Sequence, residues 1–327
     1  MPIHPTYLMF WMSLPLSIAL SLSSDSWLLV WVGLEINLMC FTPIITQNTN
    51  KLSAECALKY FLVQALASTA IVFCAVLGDH PEITMPVTLA ALMWKSGAAP
   101  LHQSMPSIVS GLTWAPMTAL LSIQKIIPLS VLTSLSSYFM LKKFFFFFIL
   151  FSAFIGSIGG LTQTSLRKIL IFSSIAHLAW LLSAILLSNW LWLNYFLIYF
   201  FIVMSITIPL NKSNTYSLNQ LILAANPAIP IMTSISLLSL GGLPPFTGFL
   251  PKLMVVQHLV GSISVLLPFF LLLSTFISLF FYLRVAMATL FFLTSSKILL
   301  KMIFPFGLSV MTLNLMALLV STLFFMN

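Results

Sequence analysis

The chain is a succession of apolar stretches about twenty residues long, separated by short polar or Gly/Pro-bearing connections. About twenty apolar residues is what a helix needs to cross a hydrocarbon core of roughly 30 Å. Bounding each stretch by turn and charge signals predicts about eleven spans, at 3–23, 26–46, 54–77, 85–109, 112–139, 144–162, 166–187, 190–210, 228–260, 263–292 and 302–325. Asp79-His80-Pro81-Glu82 and Asn211-Lys212-Ser213-Asn214 read as polar connections. Two spans are interrupted, the fourth at Lys95-Ser-Gly-Ala-Ala-Pro100 and the ninth at Gly241-Gly-Leu-Pro-Pro-Phe-Thr-Gly-Phe-Leu-Pro-Lys252. The expected fold is an all-α polytopic membrane protein built from two five-helix units, 1–140 and 144–292, with the break fourth in each. An odd number of helices per unit inverts the second copy, and the last helix, 302–325, stands outside the repeat.

Composition agrees with that reading and narrows the function. Hydrophobic residues make up 60% of the chain and charged residues 6%, with a mean hydropathy of +1.11, which excludes a soluble globule with a polar surface. The net charge of +8 is no nucleic-acid footprint, because the basic residues are scattered singly apart from Lys142-Lys143 and Arg167-Lys168 at span ends. Cys40, Cys56 and Cys74 lie in or beside apolar runs without CxxC spacing and read as small hydrophobes. The first span lacks a basic leader and reads as a retained helix. Phe144–Phe148 reads as lipid-facing filler. With eleven spans, Lys51, Arg167, Lys168, Lys212, Lys297 and Lys301 fall on the side of the N-terminus, against Lys142 and Lys143 opposite. The N-terminus is therefore expected to face the negative compartment and the C-terminus the other.

Ionisable residues deep in spans are costly and functional by default. Five meet that test. Glu35 lies mid-span, either as a protonated carboxyl bonded to Asn37 or a serine, or as a carboxylate paired with a lysine of a neighbouring helix. Lys95 sits at the first break, about ten residues inside its span and too deep to snorkel comfortably. Lys125 lies near the centre of the fifth span, where Pro128 leaves the Gln124 carbonyl free for water or a lysine. Lys252 follows the second break, whose unwound backbone requires protein or water around it. His177 is either a proton relay or a neutral core histidine bonded to Ser173 or Ser174. Lys59, Arg167, Lys168, Arg284, Lys297 and Lys301 lie nearer span ends and read as snorkelling or topology-setting, with Glu55 and Lys59 also spaced for a local ion pair. No nucleotide, metal, haem or quinone signature is present in the sequence.

Several stretches together carry a resemblance: Trp31-Val-Gly-Leu-Glu-Ile-Asn-Leu38, Leu58-Lys-Tyr-Phe-Leu62, Lys95-Ser-Gly-Ala-Ala-Pro-Leu-His102, Gly111-Leu-Thr-Trp114, Gln124-Lys-Ile-Ile-Pro-Leu129, Gly159–Leu170, Ser173-Ser-Ile-Ala-His-Leu-Ala-Trp180 and Ser239–Lys252. The chain resembles the antiporter-like membrane subunits of respiratory complex I, the chain 2 family of mitochondrial NADH:ubiquinone oxidoreductase in its shortened animal form. The resemblance implies an inner-membrane subunit in which Glu35 matches the family's carboxylate, Lys95 its partner lysine, Lys125 the central lysine, and Lys252 the lysine toward the next subunit. His177 matches a histidine between the last two. It further implies a matrix-side N-terminus and an intermembrane-space C-terminus. Neighbouring antiporter-like and small core subunits of the membrane arm are the implied partners. No cofactor is implied on this chain: FMN, iron–sulfur clusters and ubiquinone belong to other subunits, and a structural phospholipid such as cardiolipin is compatible. The sequence departs from the family pattern at Leu101, Gln103 and Ser104, where two aromatics are lost, and at Ala176, where the pattern has Asn.

The reading that unites these features is proton translocation by complex I along Glu35, Lys95, Lys125, His177 and Lys252, loaded from the N-terminal side. Two rivals remain open at the level of sequence. One is a cation/proton antiporter outside complex I, which sodium chemistry disfavours because one buried acid faces several lysines. The other is a non-conducting structural subunit.

Overall fold

The computed structural model describes residues 5–47, 50–77, 81–223, 228–262 and 266–295. In chain order the helices are α1 (Pro5–Leu22), α2 (Trp27–Ile45), α3 (Lys51–Val76), α4 (Pro81–Ser96), α5 (Ser104–Val109), α6 (Trp114–Leu121), α7 (Ile123–Leu135) and α8 (Lys142–Leu161). They continue with α9 (Leu166–Leu187), α10 (Asn189–Ser213), α11 (Leu218–Ile222), α12 (Ala228–Gly241), α13 (Phe249–Ser262) and α14 (Leu266–Ser295). Eight stretches among the described residues are long and apolar enough to cross a membrane, and α12 and α13 are shorter apolar helices. The described parts of the first ten expected spans fall largely on helix, the fourth leaving it at 97–103. The eleventh, 302–325, lies outside the described residues, as do Asp79, His80, Lys297 and Lys301.

Residues 1–151 and 152–327 pack as two compact units. In the first, α1 packs on α2, α2 on α3, α3 on α4, α4 on α7, and α7 back on α1, so five apolar segments close a ring. The second is organised around α9, which is buried along nearly its whole length and contacts α10, α13 and α14. Enclosure suits the polar side chains that α9 carries along its length, Ser173, Ser174 and His177 among them, which are costly against lipid. Close approach at α9 requires Gly156 of α8: a Cβ there would stand 2.5 Å from the Ala176 backbone nitrogen. Before α9 an isolated antiparallel bridge joins Ser165 to Ser217. Arg167 lies 4.4 Å from the Tyr216 ring centroid, and Ser217 with Gln220 forms a capping box on α11.

One expectation needs correcting, and two features were not expected. Asn211-Lys212-Ser213 is not a loop: α10 runs on to Ser213 and ends where Asn214 adopts a left-handed conformation, φ 51°, with Lys212 complementing the helix dipole. The first unexpected feature is in the fifth span, which is interrupted between α6 and α7 at Ser122 (φ −121°, ψ −74°), while α7 continues through Pro128. There the Ser122 hydroxyl donates to Thr118 C=O at 2.6 Å, and the Lys125 N–H turns to Ser122 C=O at 3.0 Å. Hydroxyls bonding back to their own helix bend it in this way. The second is the partner of Arg284. This arginine lies within α14, and its guanidinium donates to Leu161 C=O and Gln163 C=O, each at 2.6 Å, closing the C-terminus of α8. Lys59, by contrast, pairs with Glu55 at 2.5 Å on an exposed helix face, as its spacing suggests.

The contact between α8 and α9 yields a first test. Gly156→Ala forces its methyl against backbone and is expected to destabilise by about 1–3 kcal/mol, lowering the thermal midpoint of the detergent-solubilised protein. Gly261→Ala, with open space around it, is expected to leave the midpoint unchanged or raised.

Candidate functional site

Both interrupted helices end on a glycine with positive φ, Gly97 at +78° and Gly242 at +79°, a conformation in which a side chain would be strained. At the end of α4 the Ala98 N–H bonds Met93 C=O at 2.9 Å and the Gly97 N–H bonds Trp94 C=O at 3.1 Å, the paired bonds of a Schellman cap. The next carbonyl belongs to Lys95. It accepts from the buried Gln64 side-chain amide of α3 at 3.3 Å. At the end of α12 the Gly242 N–H bonds Ser239 C=O at 3.0 Å. The carbonyls of Leu240 and Gly241 accept from the Lys252 ammonium at 3.0 and 2.8 Å.

Lys252 reaches that position because the chain doubles back. Pro244 and Pro245 cannot continue the helix, a short run of turns follows, and Gly248 passes so close to Ser239 that a Cβ would run into its carbonyl. The first turn of α13 is thereby held against the last turn of α12. The ammonium sits at the negative end of the α12 dipole and satisfies carbonyls that water could not reach in a membrane interior.

His177 lies at the middle of α9. Its Nδ1 is 2.9 Å from the Tyr195 hydroxyl, and its ring is 5.2 Å from that of Tyr199, centroid to centroid. The Ser173 and Ser174 hydroxyls donate to Leu170 and Ile171 carbonyls of their own helix, at 2.7 and 2.8 Å. They also interact with Tyr282 and Tyr199 respectively. His177 and Lys252 line one cavity of about 10 Å³ with Ala176, Ser274, Ser278 and Tyr282. That is about the smallest space that holds one water. Ala176, the residue that replaces the family pattern's Asn, contributes to this space a methyl where an amide would intrude.

In the first unit Lys125 is 4% exposed and Lys95 6%, so neither snorkels. Glu35 is only half-buried. Its charge acts on Lys95, but among the described residues the only ion pair within 4 Å is Glu55–Lys59, so Glu35 and Lys95 influence each other across a gap. Beside Lys125 runs a polar chain: the Tyr60 hydroxyl donates to Gln124 Oε1 at 3.2 Å, and Gln124 Nε2 donates to Asn37 Oδ1 at 3.0 Å. It ties α3, α7 and α2 together next to two of the expected site residues. The structure thus brings His177 and Lys252 to one cavity, and places Lys95 and Lys125 inside one ring of helices. Sequence reasoning missed Gln64, Tyr60 and the tyrosines around His177. The amide of Gln64, mid-span, was a usable signal; the tyrosines gave none, because aromatics are common in any span.

Comparison with known proteins decides the family. Residues 24–78 and 82–280 match the family described as NADH:quinone oxidoreductase/Mrp antiporter, TM. The NADH-ubiquinone oxidoreductase chain 2 of Anopheles gambiae is 41% identical over 278 residues, covering 81% of this chain and 80% of the relative. The chain belongs to the NADH-ubiquinone oxidoreductase chain 2 family. The Aedes aegypti member is 40% identical over 279 residues, covering 82% and 81%. A chain of the Thermus thermophilus respiratory complex I structure with bound aureothin superposes with a TM-score of 0.80 at 21% identity, over 86% of this chain and 70% of that one, a likeness of fold.

Within this chain 2 family member, the Gln64 bond is testable by itself. Gln64→Leu leaves the Lys95 carbonyl without its side-chain donor and is expected to cost about 1–3 kcal/mol, read as a lowered thermal midpoint. Gln64→Asn, too short to reach, should behave like Leu, whereas Gln64→His should recover part of the loss.

Proposed function

We propose that this chain translocates protons as a membrane subunit of respiratory complex I, using Glu35, Lys95, Lys125, His177 and Lys252. The observation that carries this reading is the set of lysines buried within spans, Lys95, Lys125 and Lys252, together with His177 and Lys252 on one water-sized cavity. A buried lysine can exchange between ammonium and amine, and an imidazole one cavity away can pass the proton on. The half-buried Glu35 near Lys95 supplies a charge whose movement would bias that lysine's protonation.

The N-terminus faces the matrix in this proposal and the C-terminus the intermembrane space. FMN, iron–sulfur clusters and ubiquinone lie on other subunits, which supply the driving force. Moving a charge against 100 mV costs about 2.3 kcal/mol. Membrane-arm subunits, antiporter-like and small core ones, are the proposed neighbours. An antiporter outside complex I is the weaker reading although the family description also names Mrp antiporters, because the curated relatives carry the complex I name and sodium calls for several oxygen ligands.

On native electrophoresis of solubilised mitochondrial membranes the chain should co-migrate with a very large NADH-oxidising band; migration apart from it would overturn the assignment. Lys125→Met and Lys125→Arg should both assemble into that band yet lower NADH-driven proton pumping at least about tenfold, a barrier change of about 1.4 kcal/mol. A guanidinium does not release its proton, so full activity in Lys125→Arg would leave Lys125 as a counter-charge only.

A further inference from the structure

Tyr195 of α10 and His177 of α9 meet inside the second unit, the tyrosine 2% exposed and the histidine 6%. Among the described residues the Tyr195 hydroxyl has one hydrogen-bond partner, Nδ1 of His177 at 2.9 Å. The other tyrosines of this interior are engaged differently. Tyr199 lies ring to ring with the imidazole and interacts with Ser174, and Tyr282 interacts with Ser173.

The proton count gives this bond its direction. A phenol brings one proton, and each imidazole nitrogen presents either a proton or a lone pair. If Nδ1–H donated to the phenol oxygen, the phenol proton would be left without an acceptor in a membrane interior, and a buried donor left unmade costs more than a made bond gains. The satisfied arrangement has the Tyr195 hydroxyl donating to the Nδ1 lone pair. Which nitrogen of a histidine carries the proton is set by the bond the other one makes. The neutral imidazole of His177 therefore carries its own proton on Nε2. That proton gives the ring a donor, while its single lone pair is held by Tyr195, so His177 takes no proton from Lys252 across the cavity they both line.

We infer that Tyr195 is a positioning residue for His177, whose hydroxyl fixes the Nε2–H form of the imidazole and keeps it neutral until the O–H turns away. Once the hydroxyl turns, Nδ1 is free to take a proton. The ring becomes an imidazolium, and release of the Nε2 proton restores its neutrality. Electrostatic coupling of Tyr195 to Tyr199 and Tyr282 puts other phenol oxygens near the turned hydroxyl. The inference rests on the proposed proton transfer and adds to it the group that decides when His177 takes part.

The test reads two quantities in the assembled complex reconstituted into proteoliposomes, the rate of NADH oxidation and the protons pumped per NADH oxidised. Tyr195→Phe keeps the ring and removes the hydroxyl, so the complex should still oxidise NADH while the pumped ratio falls. His177→Leu should also lower pumping. Adding Tyr195→Phe to it should lower pumping no further, because the tyrosine acts through the imidazole. The thermal midpoint of that double variant should rise above that of His177→Leu, since a hydroxyl without a partner has been removed. Tyr199→Phe keeps its ring contact and should leave the ratio unchanged. A ratio unchanged in Tyr195→Phe would overturn the inference. So would oxidation and pumping falling in proportion, an equal loss with and without His177, or the same loss in Tyr199→Phe, each of which marks a packing role only. Normal pumping in His177→Leu would sink the proposed relay and this inference with it. Deficient pumping there, beside a normal ratio in Tyr195→Phe, would sink this inference alone.

Discussion

A helix that stops inside a membrane leaves carbonyl oxygens that lipid cannot satisfy, and two helices of this protein stop there. The bond from the Lys252 ammonium to Leu240 and Gly241 is how the second stop is made tolerable. It is at once a structural cap and the placement of an ionisable group. The same contact holds the lysine beside the cavity that His177 also lines. At the first stop the labour is divided. Two carbonyls are closed by backbone N–H groups of the Gly97 turn, one by Gln64, and the Lys95 side chain is left for other work.

The rest of the site follows from keeping those ends in register. Gly248 permits α13 to fold back on α12, Gly156 permits α8 to approach α9, and enclosure of α9 holds His177 away from lipid. Hydroxyls are placed where the chain needs acceptors: Ser274 and Ser278 line the Lys252 cavity while donating to Leu271 and Thr275 of their own helix. In the first unit the Tyr60–Gln124–Asn37 chain does by side-chain bonding what Lys252 does by charge, fixing the helix that bears Lys125. Glu35 stands apart at the half-exposed edge of α2. Its charge acts on Lys95 across a gap, with no ion pair within 4 Å between them.

Much of this was legible in the sequence. Span positions followed from apolar length alone, and the two breaks from Gly and Pro with a lysine beside each. The buried lysines and His177 stood out because a charge in a span is rare. What could not be read was partnership. Nothing in Gly241–Lys252 says that the lysine turns back onto its own break, since that depends on the path of the intervening turns. Ser122 interrupts the fifth span, with its hydroxyl bonded back to Thr118 C=O, and nothing in the sequence singled it out among the many span serines. Arg284 was read as an interfacial anchor, but its place in α14 let it reach the end of α8, a pairing between residues far apart in the chain. Tyr195 carried no signal, because its role exists only once α10 lies against α9.

The central claim is that Lys252 both closes α12 and carries a proton, and one comparison separates the two. Proton pumping and thermal stability are measured side by side in complexes bearing Lys252→Arg and Lys252→Met. An arginine keeps the charge and the donors for Leu240 and Gly241 but does not release its proton. It should therefore hold the thermal midpoint near that of the unmodified complex while pumping falls at least about tenfold; methionine should lose both. Pumping retained in the arginine variant, or an unchanged midpoint in the methionine variant, would contradict the account.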